Sequence, residues 1–194
     1  MPLGGIQTVN ITLANDAWDG APVYSPDGNY IAYKTHSIPG FEADRFRVAV
    51  YNTRTLLSEV LTEDFDYTTD NLSWSADSKS IYFLADNRGY SPVYKVDVQS
   101  KNISKITDDK AVRGYQINKE EKNLYLTFTA VDKLPEIYSY DVNASVYSQI
   151  TFFNKKLSEE VDIRPEKQMG GEGAEGVPVH VFVVKPHGYE KKKK

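Results

Sequence analysis

Short segments with alternating apolar and polar residues recur along most of the chain. Residues 47–51, 93–98 and 137–142 are three examples. The side chains of a β-strand point in turn to opposite faces of a sheet, so alternation over five or six residues is typical of a strand with one buried face. The pattern predicts a chain built from β-sheets.

The alternating segments belong to a larger repeat. Residues 24–33 recur as residues 74–83 and, with less similarity, as residues 117–126, so the copies begin 50 and then 43 residues apart. An apolar residue followed by Thr closes each copy, at Leu61, Ile106 and Ile150. A period of this length is typical of four-stranded propeller blades and not of helical arrays.

Each repeat is predicted to form four antiparallel strands. Residues 25–28, Ser-Pro-Asp-Gly, carry the residues that a tight turn after the first strand requires, whereas residues 118–121 have lost that sequence. The strands are expected near residues 21–25, 30–36, 46–52 and 57–62; near 71–75, 80–85, 92–98 and 103–107; and near 114–118, 123–129, 136–142 and 147–151.

The predicted fold class is therefore all-β, a partial β-propeller of about three four-stranded antiparallel blades. The blades are expected at about residues 13–62, 63–107 and 108–151. Residues 8–12 carry the same Ile-Thr ending as a last blade strand. We predict that they form the last strand of a preceding blade, so that the chain is part of a longer protein.

Composition and charge narrow the range of partners. Of the 194 residues, 40% are hydrophobic and 14 are Tyr, which is enough to pack blades together. Residues 1–184 carry 18 basic and 26 acidic groups, so a nucleic-acid partner is not expected. The lysines at 191–194 fit a solvated linker. No apolar run is long enough to predict a membrane span, and the absence of Cys leaves cytoplasmic, periplasmic and secreted locations open.

No catalytic motif is present in the sequence. None of the Ser residues has the Gly-x-Ser-x-Gly setting of a hydrolase nucleophile, and no Gly-rich phosphate loop occurs. His36, His180 and His187 lack the spacing of a metal-binding pair. We therefore predict no catalytic residue, no metal and no cofactor in this chain.

Beyond residue 154 the repeat pattern stops. A Gly-rich link at residues 170–176 leads into an apolar segment at 177–184 and then into Lys-Pro-His-Gly-Tyr. This succession resembles the exit from the propeller of serine peptidases of the prolyl oligopeptidase family, where the first strand of an α/β-hydrolase domain begins. The resemblance implies that residues 1–157 are the C-terminal part of a propeller and that 158–194 are the linker and start of a peptidase domain.

The first repeat is longer than the others because of an insertion within residues 36–47. Its Pro-Gly-Phe-Glu-Ala-Asp-Arg sequence resembles the acylaminoacyl-peptidase and dipeptidyl-peptidase V branch of that family. In the family the propeller caps the hydrolase, restricts access to peptides and helps to bind the amino-terminal end of the substrate. The resemblance places the catalytic triad outside this sequence.

Four charged residues of the insertion are the candidate substrate contacts. Glu42 or Asp44 could pair with the α-ammonium group of a peptide, and Arg45 or Arg47 could bond a peptide carbonyl or fix the acid. The alternative is that all four form ordinary ion pairs on a blade-edge loop. Trp18 and Trp74 are interpreted as packing residues.

Two further expectations follow from the repeats. Ser-Pro-Asp-Gly repeats with Leu-Thr endings also occur in TolB-like propellers, which bind protein partners without catalysis. The exit segment and the insertion favour a peptidase over such a scaffold. Open blade edges predict self-association, and the apolar segment at 177–184 is expected to pair with a blade edge or to remain disordered.

Overall fold

The computed structural model describes residues 8–189, and these are almost entirely β-strands and short connections. Three antiparallel sheets of four strands follow one another along the chain, each with its strands in sequential order. The first contains β1 (Asp19–Tyr24), β2 (Tyr30–Thr35), β3 (Arg47–Asn52) and β4 (Leu57–Val60). The second contains β5 (Thr69–Trp74), β6 (Ser80–Ala85), β7 (Val93–Asp97) and β8 (Ile103–Lys105), and the third β9 (Ala111–Ile117), β10 (Asn123–Ala130), β11 (Lys133–Asp141) and β12 (Val146–Gln149).

All twelve predicted blade strands are therefore confirmed, with ends that differ by at most three residues. The sheets fall into two compact units. One comprises residues 8–87 and 92–107 and holds the first two sheets, and the other comprises residues 88–91 and 108–189 and holds the third. No helix among residues 8–189 has the length and apolarity needed to cross a membrane.

The turn between the first two strands of each sheet keeps one hydrogen bond in all three repeats. Ser25 Oγ accepts the backbone N–H of Tyr30 at 2.9 Å, and Ser75 Oγ accepts the backbone N–H of Ser80, also at 2.9 Å. In the third repeat Asn118 Oδ1 accepts the N–H of Asn123 at 3.0 Å. The third turn has lost the sequence but kept the hydrogen bond that closes the hairpin.

The same turn also requires a left-handed backbone at the position three residues after Ser25, Ser75 or Asn118. Gly28 has φ of 71°, Ser78 has φ of 61° and Glu121 has φ of 53°. Only glycine adopts this conformation without a steric penalty. The first repeat therefore has the best-suited residue at this position, whereas the second and third repeats place a side chain there.

The core of the first unit lies between its two sheets. Trp74 is 7% exposed and its indole N–H donates to the carbonyl of Val23 at 2.9 Å, as the packing interpretation of this residue predicted. A second link joins the sheets where the N–H of Asp27 donates to Ser78 Oγ at 3.1 Å. The buried apolar cluster consists of Ala32, Val48, Val50, Leu61, Trp74, Ile81, Phe83, Ala85, Tyr94 and Val96.

The strand predicted at residues 8–12 is wrong. Residues 8–10 are irregular and residues 11–14 form a turn. Asn10 Oδ1 accepts both the N–H of Thr12 at 3.0 Å and its hydroxyl at 3.2 Å, and the N–H of Asn15 donates to the carbonyl of Thr12. Local side-chain bonds of this kind satisfy the backbone groups that a strand would offer to a neighbour.

The second unit ends in a hairpin that the sequence did not predict. A six-residue helix, α1 (Lys155–Glu160), is followed by β13 (Lys167–Glu172), a single 3₁₀ turn (Ala174–Gly176) and β14 (Pro178–Val183). The strands pair antiparallel from Lys167 opposite Val183 to Glu172 opposite Pro178.

The expectation that residues 177–184 would pair with a blade edge or be disordered is therefore wrong. Gly170 and Gly171, assigned to a link, lie within β13. The N–H of Gly173 donates to the carbonyl of Val177 at 2.8 Å, and Gly176 has φ of 77°. This tight loop allows the apolar segment to fold back on the residues that precede it.

Candidate functional site

The insertion of the first repeat is the connection between β2 and β3, at residues 36–46 of the first unit. The N–H of Phe41 donates to the carbonyl of Ile38 at 3.3 Å, and the N–H of Asp44 donates to that of Phe41 at 3.0 Å. Gly40 supplies the left-handed backbone, with φ of 71°. Two successive turns thus give the insertion a defined shape.

Asp44 is the internal anchor of this loop. Its Oδ2 accepts the N–H of Ser37 at 2.6 Å and that of Ile38 at 3.1 Å, and Arg47 Nη1 lies 3.3 Å from both carboxylate oxygens. Burial alone would raise the pKa of Asp44, but the two backbone N–H groups and the Arg47 guanidinium together lower it below its ordinary value of 3.8. The carboxylate is ionised and fully engaged inside the protein.

The two arginines are engaged as well. Arg47 Nη1 also donates to the carbonyl of Arg45 at 3.1 Å, and Arg47 Nε lies 3.5 Å from Glu63 Oε2. Arg45 Nη2 donates to the carbonyl of Glu63, and its Nη1 lies 3.9 Å from Asp66 Oδ1. The structure thus brings Asp44, Arg45 and Arg47 together in one network that holds the base of the loop.

Glu42 is the exception among the four predicted residues. It is exposed, and it forms no hydrogen bond or ion pair with any residue from 8 to 189. It is one of the residues that line a cavity of about 250 Å³. The residues that line this cavity, here called the loop cavity, are Trp18, His36, Ile38, Gly40, Phe41, Glu42 and Phe46.

The loop cavity has aromatic walls. The ring of Trp18 meets that of Phe46 edge-on at 5.0 Å between centroids, and the ring of His36 stacks on Phe46 at 4.1 Å. Lys34 Nζ lies 4.4 Å from the Phe46 centroid and 2.7 Å from Asp70 Oδ1. One face of the aromatic group is thus already occupied by a cation that has its own counter-ion.

Trp18, Phe41 and Ile38 remain about half exposed, at 47%, 49% and 49%. This concave apolar surface was not predicted from the sequence, in which Trp18 was interpreted as a packing residue and His36 was considered only for catalysis and metal binding. The available signal was the succession of apolar rings on either side of the charged insertion.

His36 also lines the loop cavity and is 8% exposed. Its backbone N–H donates to the carbonyl of Trp18 at 2.8 Å, which extends the pairing of β1 and β2. Its Nε2 has no hydrogen-bond partner within the described part of the chain. Among those residues no cluster of three His, Asp or Glu is arranged to hold a metal ion.

Known proteins resemble the chain in sequence and in fold, although no protein-family model matches it. It is 25% identical to dipeptidyl-peptidase 5 of Porphyromonas gingivalis over 189 residues, 97% of this chain and 27% of the relative. The Pyrococcus horikoshii acylaminoacyl peptidase matches with a TM-score of 0.68 at 15% identity, over 90% of this chain and 26% of that one. TolB from Acinetobacter baumannii matches with a TM-score of 0.56 at 23% identity, over 89% of this chain and 39% of that one.

These findings confirm two predictions. The sequence similarity confirms the resemblance to a propeller fragment of a prolyl oligopeptidase-family peptidase, and the structural similarities confirm the β-propeller fold class. The chain spans about a quarter of the length of the curated relatives it matches.

Proposed function

We propose that this chain is the non-catalytic propeller portion of a serine exopeptidase of the acylaminoacyl- or dipeptidyl-peptidase type. Similarity to dipeptidyl-peptidase 5 over 97% of the chain supports the proposal, together with the absence of a nucleophile motif from the sequence. Peptide hydrolysis by a serine enzyme requires a nucleophile, a base and an orienting acid. In the proposed protein these residues lie outside the 194 residues.

The proposed boundaries follow the sequence pattern. Residues 1–157 form the C-terminal part of the propeller, and residues 158–194 form the linker and the start of the peptidase domain. The end of the third sheet at Gln149 and the start of a separate hairpin at Lys167 support a division between these two points, and the proposed boundary lies within α1. In the complete protein the closed ring of blades would admit extended peptides to the catalytic domain and exclude folded proteins.

The proposed role of the insertion is to bind the amino-terminal end of the substrate. A single observation carries this role: Glu42 lines the loop cavity and is exposed and unpaired, while Asp44 is buried and neutralised by Arg47. A free carboxylate forms a charge-assisted hydrogen bond with an α-ammonium group. Glu42 is thus the proposed contact, and Asp44, Arg45 and Arg47 hold it in position.

A serine-directed fluorophosphonate probe tests the peptidase assignment. The complete gene product that contains these residues is expected to be labelled at one Ser outside them, and the 194-residue chain is expected to remain unlabelled. Stoichiometric labelling of the 194-residue chain, or none of the complete product, contradicts the proposal.

The second candidate is a TolB-like propeller that acts as a protein-binding scaffold. The structural similarity to TolB at 23% identity favours it. A scaffold does not need the insertion that carries Glu42, nor a segment leading out of the propeller. A complete gene product without a Gly-x-Ser-x-Gly sequence would contradict the peptidase and leave this candidate.

A further inference from the structure

The loop cavity has the size and the surface of a subsite for one side chain. Its volume of about 250 Å³ lies below the range of about 300–1,000 Å³ that is typical of small-molecule pockets, which favours an occupant as small as one side chain. Its walls are the rings of Trp18, Phe41 and Phe46, together with Ile38. Exposed apolar surface gathered in a concave site favours an apolar occupant, because each such contact removes apolar area from water on both partners.

The position of Glu42 sets the orientation of that occupant. Glu42 lines the same cavity as Phe41, so a group bound to its carboxylate lies beside the other residues of the cavity lining. In a peptide, the α-ammonium group and the first side chain are attached to the same carbon atom. A peptide whose α-ammonium group contacts Glu42 therefore holds its first side chain close to the loop cavity.

The rings of the loop cavity favour an aromatic occupant among apolar ones. Lys34 Nζ lies 4.4 Å from the Phe46 centroid and is paired with Asp70, so a cation already lies against that ring. An aromatic side chain can add ring contacts to Trp18 and Phe41, which are both about half exposed.

We propose that the loop cavity is the subsite for the first side chain of the peptide, and that it selects large apolar side chains, aromatic ones above all. The inference rests on the proposed function for the contact between Glu42 and the α-ammonium group. It goes further because it assigns the selection of the substrate side chain to four uncharged residues, Trp18, Ile38, Phe41 and Phe46.

Two-dimensional ¹H–¹⁵N NMR of the 194-residue chain tests the inference directly, since the chain has only two Trp. The indole N–H of Trp18 reports on the cavity wall. That of Trp74, buried and bonded to the carbonyl of Val23, is the internal control. Substitution of Trp18→Phe assigns the two signals. The ligands are Phe-Gly-amide, Ala-Gly-amide and N-acetyl-Phe-Gly-amide.

The Trp18 signal is expected to move with Phe-Gly-amide, at an affinity about tenfold or more above that for Ala-Gly-amide, while the Trp74 signal stays in place. Phe41→Ala should remove most of this preference. Leu57→Ala, at a 70% exposed position outside the cavity, should leave it unchanged. Glu42→Gln should weaken the binding of Phe-Gly-amide and of Ala-Gly-amide by about the same factor.

The outcomes separate the two proposals. Equal affinities for Phe-Gly-amide and Ala-Gly-amide, with loss of binding on acetylation, would overturn the subsite and leave the Glu42 contact intact. A preference for Phe that is unchanged by acetylation and by Glu42→Gln would keep the cavity as an apolar subsite but overturn the Glu42 contact. Absence of any Trp18 shift with all three peptides would overturn both.

Discussion

The carboxylate of Asp44 lies 3.3 Å from Nη1 of Arg47, and the two side chains are only 5% and 9% exposed. A buried ion pair stabilises a fold only when its remaining donors and acceptors are also satisfied. Here the N–H groups of Ser37 and Ile38 complete the carboxylate. Arg47 Nη1 also donates to the carbonyl of Arg45, and the buried Nε of Arg47 has an ionic contact with Glu63 at 3.5 Å but no hydrogen bond. This pair therefore fixes the shape of the loop on which Glu42 stands.

Asp44→Asn is expected to lower the free energy of unfolding by about 1–3 kcal/mol, because a buried guanidinium loses its charged partner. Urea denaturation of the 194-residue chain measures the change. Glu42→Gln is the matched control, and we expect it to stay within about 0.5 kcal/mol of the wild type. Equal stability of Asp44→Asn and the wild type would show that the pair does not hold the loop.

The same pair predicts how stability depends on pH. The pKa of Asp44 is lowered in the folded state below its ordinary value of 3.8. Its contribution is therefore complete above that value and is lost as the pH falls towards the folded-state pKa.

Other groups contribute to acid lability too, since bonds from the Ser25 hydroxyl and the Asn29 N–H lower the pKa of Asp27 to about 2. The free energy of unfolding should therefore decrease less between about pH 7 and about pH 3 in Asp44→Asn than in the wild type. A parallel decrease in the two proteins would contradict the assignment.

Glu121→Gly is expected to stabilise the third sheet by about 0.5–1 kcal/mol. Glu121 occupies the left-handed position that Gly28 fills in the first repeat, with φ of 53°, and a side chain there is strained. Thermal unfolding of Glu121→Gly and the wild type measures the effect. Lys119→Gly, in the same turn but without positive φ, is the control and should destabilise or leave the chain unchanged.

The strands were predictable because their signals are local. Alternation and the turn residues fixed the bounds of all twelve blade strands to within three residues, even where residues 118–121 had lost the turn sequence. The segment at 8–12 misled the prediction because an Ile-Thr ending looks the same whether or not a neighbouring strand is present. The hairpin of β13 and β14 was missed because Gly170 and Gly171 suggest a link and carry no strand signal.

The candidate site was predictable only in part. The insertion and its four charged residues stand out in the sequence, but nothing local distinguishes Glu42 from Asp44. Burial separates them, and burial depends on the packing of Arg47 and Glu63 around the base of the loop. The loop cavity itself joins Trp18 to Phe46 across 28 positions of the chain, a contact that only the fold creates.

The hairpin of β13 and β14 predicts self-association of the 194-residue chain. Its two-stranded sheet leaves one edge of each strand without a hydrogen-bonded neighbour among the described strands, and a sheet of this size is only marginally stable by itself. Its apolar side chains are 39–58% exposed at Val177, Val179, Val181, Phe182 and Val184.

Sedimentation velocity should therefore show concentration-dependent association of the whole chain, and less of it for a chain that ends at Asn154. Val181→Lys should also reduce association, whereas Leu57→Lys, at an exposed site in the first unit, should not. If the whole chain and the shortened chain are equally monomeric, the hairpin is not an association surface.

The most direct test of the proposed function is the effect of Glu42→Gln on kcat/KM of the complete gene product, measured with paired substrates that differ only in a free or acetylated amino terminus. Loss of a charge-assisted bond should reduce kcat/KM by about tenfold to a hundredfold for the free substrate, equivalent to about 1–3 kcal/mol, and leave the acetylated one unchanged. Glu120→Gln, an exposed acid on a turn of the third sheet, is the matched control and should change neither value. Unchanged kcat/KM for the free substrate in Glu42→Gln, Asp44→Asn and Arg45→Ala alike would contradict the proposal and show that the loop carries only structural ion pairs.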